Sequence, residues 1–147
     1  MIALGCDGAG YELMQAVKTH LGKKGIAYKD FGTNSTGASD YPVHAQAVAK
    51  AVLSGECEKG IVVCGTGIGI SISANRFDGV RCALCHDVFS AKSCRQHNDA
   101  NMLAMGGRVI GRGLACEIVD AWLETEFSGE ERHARRIGMM DNQGAGQ

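Results

Sequence analysis

The fold is decided by one stretch of the sequence, Ile61-Val62-Val63-Cys64-Gly65-Thr66-Gly67-Ile68-Gly69-Ile70-Ser71. Apolar residues lead into a loop with glycine at every second position, and an apolar segment follows. This order predicts a buried strand, a tight loop and a helix start. Glycines let backbone N–H groups converge, and a helix start adds partial positive charge, so we expect an anion-binding cradle. Cys64 stands at its edge, at the carboxyl end of the strand, where open α/β sheets bind ligands.

The spacing of these glycines excludes two common nucleotide-binding motifs. The loop lacks the Gly-Lys-Ser/Thr ending of a P-loop and does not match the G-x-G-x-x-G dinucleotide fingerprint. Neither ATP nor NAD is indicated, and we predict no cofactor. The alternative interpretation is structural, because glycine-rich turns also occur without ligands and a buried cysteine usually acts as a small apolar residue.

The composition is typical of an ordinary folded domain. The chain has 147 residues, 45% of them hydrophobic, and a formal net charge of −1, so we predict one domain over residues 1–147. A balanced charge gives no general attraction to nucleic acid or membranes, and no apolar run approaches the roughly 20 residues of a membrane span. The N-terminus lacks the basic start of a signal peptide, so we predict a cytoplasmic protein.

The seven cysteines are scattered through mainly apolar segments. An odd number without a secretion signal indicates reduced thiols rather than disulfides. Cys82 and Cys85 form a C-x-x-C pair, but the surrounding residues 80–85 have the pattern of a strand, which would point the two side chains to opposite faces. No second pair completes a zinc site, so we predict no metal.

Strand and helix patterns alternate along the chain. We predict strands over 2–6, 26–31, 60–64, 80–85 and 102–105, and helices over 11–23, 42–53, 70–77, 87–97, 114–127 and 131–140. Such alternation is typical of a parallel sheet covered by helices on both faces. We therefore predict a single three-layer α/β/α domain, Rossmann-like, with a five-stranded parallel sheet, and we expect the last residues to be frayed.

Polar residues follow several of the predicted strands. Asp7 follows the first strand, Cys64 and Thr66 the third, and Arg108 the fifth. Since parallel strands end at one edge, these side chains should meet there, whereas the position of His97, at the end of the fourth helix, stays open. A thiol, a carboxylate, an imidazole and a guanidinium suit proton transfer on a small anion. Each also has a structural alternative as a helix cap or a surface ion pair.

Two arginines near the end of the chain have helical spacing. Arg132 and Arg136 are four residues apart and share one face of the last predicted helix. Forked guanidinium donors on one face suit a phosphate group. The alternative is a solvated basic face.

Several motifs occur in the order seen in one enzyme family. They are Gly5-Cys6-Asp7-x-Ala9-Gly10, Asp40-Tyr41-Pro42, Cys64-Gly65-Thr66-Gly67-Ile68-Gly69, Ser73-Ala74-Asn75, Arg95-Gln96-His97-Asn98-Asp99 and Arg132-His133. On these motifs the chain resembles the type B ribose-5-phosphate isomerases of the ribose/galactose isomerase family, which includes the galactose-6-phosphate isomerases. The resemblance implies an aldose–ketose isomerase, without metal or nucleotide, that interconverts D-ribose 5-phosphate and D-ribulose 5-phosphate through a cis-enediolate.

The resemblance also implies roles for individual residues. Cys64 is expected to be the base that moves a proton between C2 and C1, with help from Thr66. Asp7 and His97 are expected to bind the sugar hydroxyls and to help open the furanose ring. The other expected substrate-binding residues are Gly65, Gly67, Ile68 and Gly69 for the enediolate oxygens, Tyr41 and Asn98 for the sugar, and Arg108, Arg132 and Arg136 for the phosphate.

One position departs from the family pattern. The family's first loop usually has a histidine after the aspartate, and this chain has Gly8 there. We expect Gly8 to lie at the substrate and to leave room, so that either the preferred sugar differs or another donor, His133 or Arg135, replaces the ring. The alternatives to a ribose phosphate substrate are therefore a hexose or tetrose phosphate. A further alternative is a non-catalytic sugar-phosphate-binding module.

The resemblance finally implies an assembly. Members of the family form homodimers, and some pair dimers into tetramers. The helix over about 131–140 is expected to carry its arginines into the partner subunit's site.

Overall fold

The computed structural model describes residues 1–143, so the predicted fraying of the last residues lies outside the described part of the chain. Strands and helices alternate along the sequence, as predicted. Their bounds are β1 Ile2–Cys6, α1 Tyr11–Lys23, β2 Tyr28–Asp30, α2 Tyr41–Leu53, β3 Lys59–Cys64, α3 Ile68–Ala74, β4 Cys82–Leu84, α4 Val88–Asn98, β5 Met102–Gly106, α5 Arg112–Glu124 and α6 Glu131–Asp141.

All five strands belong to one parallel sheet in the order β2-β1-β3-β5-β4. From the centre of the sheet, β2 is added on one side and β5 and β4 on the other, so the strand order reverses between β1 and β3. The carboxyl ends of β1 and β3 therefore form the crevice in which open α/β sheets bind ligands. Asp7 follows β1 and Cys64 ends β3, which brings both residues to this crevice.

Two hydrophobic cores cover the two faces of the sheet. Successive side chains of a strand point to opposite faces, so Ile61 and Val63 join the core beneath α1, α4 and α5. Val62 and Cys64 instead join the core beneath α2 and α3. The predicted three-layer α/β/α architecture is confirmed.

Trp122 of α5 is fully buried in the core beneath α1, α4 and α5. The Nζ atom of Lys59 lies 5.5 Å from its ring centroid. Burial lowers the pKa of Lys59, and the positive charge of Arg95 adds to the effect. Among the described residues, the indole Nε1 is the one buried side-chain nitrogen or oxygen without a hydrogen-bond partner, so packing holds this end of the core.

The edge strands are shorter than predicted. β2 and β4 have three residues each, where the sequence pattern predicted six. Each pairs with a neighbour on one side only, so less of its backbone is held in the ladder. The predicted opposite orientation of Cys82 and Cys85 is confirmed, because Cys82 packs against the α2/α3 core and Cys85 lies in the other core.

Two helices, α3 and α5, differ from their predicted bounds by more than one residue. α3 begins at Ile68 rather than at residue 70, because the chain turns directly into the helix after Gly67. α5 ends at Glu124 rather than at residue 127, because Thr125 is extended and its carbonyl accepts a hydrogen bond from Arg95 Nε over 3.2 Å. Within residues 1–143, no helix has the length and apolar character needed to cross a membrane.

Candidate active site

The loop after β3 folds around the Cys64 thiol. Cys64 is only 4% exposed, and the backbone N–H of Gly67 donates a hydrogen bond to its Sγ over 3.1 Å. Gly67 has a φ of 77°, the left-handed conformation that glycine adopts without strain. This turn directs the N–H back toward the sulfur, so the loop geometry fixes where the thiol lies.

The first turn of α3 is packed tightly against its surroundings. A Cβ on Gly67 would lie 2.6 Å from Leu84 Cδ1 and 2.8 Å from the carbonyl carbon of Met105. A Cβ on Gly69 would lie 2.6 Å from the Tyr41 ring. Tyr41 therefore packs directly on the glycine loop, and its role in a sugar pocket stays a prediction.

Thr66 and Ile68 are the exposed side chains of the loop. The Oγ1 atom of Thr66 accepts a hydrogen bond from the Ile68 N–H over 3.2 Å. Because the hydroxyl oxygen accepts here, its hydrogen remains available to donate to a ligand. This arrangement suits the predicted assistance to proton transfer, which stays a prediction.

The loop after β5 brings Arg108 to the same edge. The N–H of Gly107 donates to the Cys64 carbonyl over 2.8 Å, and the N–H of Arg108 donates to the Gly65 carbonyl over 3.0 Å. A Cβ on Gly65 would lie 3.6 Å from Arg108 Cδ, so the arginine side chain runs past the glycine loop. The predicted meeting of Arg108 with Cys64 at one sheet edge is confirmed.

Asp7 lies at this edge and lines a cavity of about 570 Å³ with Arg108, Thr36 and Ser39. Its Oδ1 accepts a hydrogen bond from the Gly10 N–H over 3.0 Å, so the carboxylate also shapes the turn before α1. Within residues 1–143, only this oxygen of the carboxylate is hydrogen-bonded, which leaves Oδ2 for a ligand. The cavity combines a carboxylate, a guanidinium and two hydroxyls, a set that suits a hydroxylated anion.

No room exists beside Gly8. A Cβ there would lie 1.9 Å from the carbonyl oxygen of Gly37 and 2.7 Å from that of Thr36. The expectation that glycine leaves room at this position is wrong, because the backbone of these two residues fills the space. Gly8 still lines the cavity, and its contact with substrate stays a prediction.

His97 and Asn98 lie at the amino-terminal ends of the strands, whereas the Cys64 thiol lies at their carboxyl-terminal ends. β5 begins shortly after Asn98, at Met102, which pairs with Gly60 near the start of β3. Cys64 lies four residues farther along β3, a distance of roughly 13 Å at the usual rise of a strand. A single chain therefore does not bring His97 and Asn98 to the crevice that holds Cys64.

The basic helix α6 packs beside His97. The rings of His97 and His133 lie 4.6 Å apart, and His133 is 6% exposed with its Nδ1 2.7 Å from Ser128 Oγ. Burial lowers the pKa of His133, and the positive charges of His97, Arg132 and Arg136 add to the effect. The two arginines are exposed on this helix, so one chain holds them beside His97 and away from the thiol.

The replacement donors considered for position 8 do not reach it within one chain. His133 lies against His97 at the far edge of the sheet, and Arg135 donates to Glu131 on its own helix over 2.6 Å. A donor from either residue beside Gly8 would have to come from another subunit, and this role stays a prediction.

Arg95 has a structural role in positioning His97. Its guanidinium is 7% exposed and donates to Asp99 Oδ1 and to the Ala100 carbonyl, each over 2.8 Å. Asp99 ends α4 with a φ of 46°, a left-handed conformation that this pairing supports. Arg95 thereby joins the end of α4 to the turn before β5.

Two other cysteines, Cys6 and Cys82, have thiols whose pKa is raised. Burial raises the pKa of Cys6 to about 11, with the charge of Asp30 adding to it, and burial raises the pKa of Cys82 to about 12. These two thiols therefore stay protonated near neutral pH. All seven cysteines are free in the structure. Within residues 1–143, no three His, Cys, Asp or Glu side chains converge where a metal ion could bind.

Sequence reasoning missed two groups that shape this edge. His86 Nε2 accepts the N–H of Gly106 over 2.9 Å and so holds the end of β5. Residues 32–39 form a wall of the cavity, with His44 hydrogen-bonded to Ser39 Oγ over 3.2 Å. The Ser/Thr-rich run before α2 was the available signal, but it is equally typical of a plain surface loop.

The fold and this site define a class of protein. A parallel α/β sheet holds a thiol under a backbone donor at its switch point, beside a carboxylate and an arginine. That combination is typical of enzymes that transfer protons on small anionic substrates. The chain belongs to the ribose/galactose isomerase family, whose family model matches residues 2–140.

Individual relatives agree with this membership. The chain is 48% identical to ribose-5-phosphate isomerase B of Escherichia coli, over 92% of this chain and 91% of that protein. It is 41% identical to D-erythrulose-4-phosphate isomerase of Pectobacterium atrosepticum, over 97% of this chain and 95% of that protein. The structure of ribose-5-phosphate isomerase B from Clostridium thermocellum superposes with a TM-score of 0.94 at 49% identity, covering 96% of this chain and 95% of that one. The chain is thus an aldose–ketose isomerase of this family.

Proposed function

We propose that this isomerase interconverts D-ribose 5-phosphate and D-ribulose 5-phosphate by moving a proton between C2 and C1 through a cis-enediolate. The observation that carries the proposal is the Cys64 thiol, held under the Gly67 N–H at the sheet's switch point. Two relatives named for ribose 5-phosphate, one of them with a matching fold, support the choice of substrate.

In the proposed reaction, the Cys64 thiolate removes the C2 proton of the open-chain aldose. The electron pair of the broken C–H bond forms the C1–C2 double bond, and the carbonyl oxygen becomes an enediolate oxygen. The resulting Cys64 thiol then returns the proton to C1, while Thr66 helps to move the hydroxyl proton from one oxygen to the other. Backbone donors from Gly65 to Gly69 stabilise the charge that builds up on the oxygens.

The loop, rather than a long helix, supplies these donors. α3 has seven residues, so its dipole is short, and the N–H groups next to Cys64 are the nearest donors. Asp7 and Arg108 line the cavity beside the loop, where we place the sugar hydroxyls and one side of the phosphate. Gly8 lines the same cavity, and Tyr41 packs on Gly69 of the glycine loop.

We place the completing residues in a second copy of the chain. His97, Asn98, Arg132 and Arg136 share the edge opposite Cys64, so they reach a Cys64 site only when another subunit presents them. The proposed active unit is therefore a homodimer with two identical composite sites, and pairing of dimers into tetramers stays an alternative. Seven free thiols, most of them buried, support a reducing, cytoplasmic location.

A second surface feature supports the homodimer. Ile68 and Ile72 of α3 are 51% and 59% exposed, and Leu84, 38% exposed, lies beside Gly67 at the same edge. Exposed apolar side chains next to an incomplete site are typical of surfaces that another subunit covers. A second copy would bury them while bringing in His97.

Two other sugar phosphates are alternative substrates. The relative named for D-erythrulose 4-phosphate supports a four-carbon sugar phosphate, and a relative named as a galactose-6-phosphate isomerase subunit supports a six-carbon one. A non-catalytic sugar-phosphate-binding module is less well supported, because binding alone requires no thiol under a backbone donor.

The test compares isomerisation of D-ribose 5-phosphate by the wild-type protein, Cys64→Ala and Cys57→Ala. Positioned acid–base groups contribute about 10²–10⁴-fold, so Cys64→Ala should lose that factor in kcat. Cys57 is equally buried, at 1% exposure, but lies away from the loop, so Cys57→Ala should keep wild-type turnover. Wild-type turnover in D₂O should place deuterium at C1 of the product. Normal turnover by Cys64→Ala would refute the assignment of the base.

A further inference from the structure

The backbone of residues 32–39, here called the wall segment, runs between β2 and α2 along the proposed substrate cavity. Its start is held to β1, because the Phe31 N–H donates to the Leu4 carbonyl over 2.7 Å and the Thr33 N–H donates to the Cys6 carbonyl over 3.0 Å. Beyond Thr33 the segment is mostly exposed and has no regular structure. Its position over the cavity therefore depends on a few specific contacts.

The first of these contacts is with Gly8. The Gly37 and Thr36 carbonyl oxygens occupy the space that a Cβ on residue 8 would need, at 1.9 and 2.7 Å from its ideal position. Any side chain at position 8 would push the wall segment outward by more than an ångström, because real Cβ contacts do not come this close. Glycine at position 8 thus allows the wall segment its innermost position.

The second contact is a clamp formed by His44. Its Nδ1 lies 3.1 Å from the Phe31 carbonyl oxygen and its Nε2 lies 3.2 Å from Ser39 Oγ. A carbonyl oxygen only accepts, so Nδ1 carries the hydrogen, and in the neutral ring Nε2 accepts from the Ser39 hydroxyl. One imidazole on α2 therefore ties together both ends of the wall segment.

The wall segment faces the cavity that the proposed function assigns to substrate. Thr36, Ala38 and Ser39 line it together with Asp7 and Arg108. A displacement of the wall segment changes the width of this cavity, and neither Cys64 nor its loop is among the residues that line it. The proposed base and the wall segment are thus separate parts of the site.

We propose that the wall segment, seated on Gly8 and clamped by His44, determines how long a phosphosugar this isomerase accepts, favouring five carbons over six. The inference rests on the proposed function, because it concerns the same cavity. Its physical basis is steric: the innermost wall excludes the additional CHOH unit, and discrimination of one such unit in a fitted pocket amounts to about 10-fold or more. His44 is a positioning residue that acts through Ser39 and Phe31.

The first experiment measures kcat and KM of Gly8→Ala with D-ribose 5-phosphate and with D-galactose 6-phosphate. The added methyl should displace the wall segment and raise the ratio of six- to five-carbon kcat/KM by about 10-fold, mostly through KM. Gly22→Ala is the matched control, because Gly22 is exposed on α1 with open space around its Cβ position, and it should keep the wild-type ratio. An unchanged ratio in a folded Gly8→Ala overturns the proposal.

The second experiment replaces the clamp. His44→Ala should raise KM for D-ribose 5-phosphate with little change in kcat and shift the ratio in the same direction, and His44→Gln should restore part of it by donating to the Phe31 carbonyl. If Gly8→Ala does not unfold cooperatively, His44→Ala decides, and a wild-type ratio there overturns the proposal. Absence of wild-type activity on every phosphosugar would instead count against the proposed function.

Discussion

Gly67 donates its backbone N–H to the Cys64 sulfur over 3.1 Å while it holds a φ of 77°. The same residue closes the packing between the loop and Leu84, where a Cβ would lie 2.6 Å from Cδ1. The position of the thiol and the shape of the loop are therefore one structural unit. A change that relaxes the turn should also move the donor away from the sulfur.

We expect Gly67→Ala to destabilise the protein and to remove most of its activity. The left-handed conformation costs a non-glycine residue about 1–2 kcal/mol, and the contact with Met105 adds to it, so the loss should exceed about 2 kcal/mol. Urea denaturation measures this loss. Gly65→Ala is the control for stability, because its Cβ would have contacts of 3.5–3.7 Å, and it should stay within about 1 kcal/mol of wild type.

Mixed dimers should reveal whether the site is shared between chains. Subunits carrying Cys64→Ala and subunits carrying His97→Ala should each be weakly active alone, and heterodimers should regain activity at the one site with both residues intact. A Cys64→Ala and Arg136→Ala mixture should behave in the same way.

The control for this experiment mixes Cys64→Ala with Arg108→Ala. Arg108 lies beside the same loop as Cys64, so both residues of a site come from one chain and no complementation is expected. Purified heterodimers and steady-state assays are sufficient. Inactive Cys64→Ala/His97→Ala heterodimers would contradict the proposed assembly.

We expect Arg95→Met to be strongly destabilising. The change leaves the Ala100 and Thr125 carbonyls without the Arg95 donor and removes the hydrogen-bonded partner of Asp99 Oδ1, at a cost of about 2–4 kcal/mol. The matched variant is Arg135→Met, because Arg135 is exposed and pairs with Glu131 across one helix turn. Surface pairs of that kind contribute about 0–1 kcal/mol. Equal midpoints in urea for the two variants would disprove the structural role of Arg95.

Docking of α6 should weaken in mild acid. His133 has a lowered pKa in the folded chain, so the unfolded chain binds this proton more readily. Above the ordinary histidine pKa of about 6.5, protonation of His133 therefore has no effect on the free energy of unfolding. Below that value, the free energy of unfolding falls as the pH drops. The loss of melting temperature between about pH 7.5 and about pH 5.5 should be smaller in His133→Gln than in wild type. An equal loss in both proteins would show that His133 is not the titrating group.

The sequence was sufficient for the fold because its signals are local. The run from Ile61 to Ser71 contains a strand, a turn and a helix start within eleven residues, and each has its own composition. The edge strands were overestimated because an apolar run does not reveal whether it has one neighbour or two. The ends of these strands depend on pairing, which is not local.

Two features of the site depended on distant contacts and were beyond the sequence. The space beside Gly8 is filled by Gly37, and no pattern around either residue indicates that they touch. The placement of His97 opposite Cys64 follows from the register of β5 on β3, which pairs Met102 with Gly60. The residue types at the site were predictable, whereas their distribution over two sheet edges was not.

Trp122 gives the protein a built-in spectroscopic probe. It is the sole tryptophan of the chain, and it is fully buried in the core beneath α1, α4 and α5. Its emission should be blue-shifted in the native state and should move to the red when the core opens. Fluorescence will therefore follow global unfolding of every variant proposed above without a label. Substitutions that affect only catalysis should leave that emission unchanged. The tryptophan emission therefore distinguishes a variant that has lost activity from one that has lost its fold.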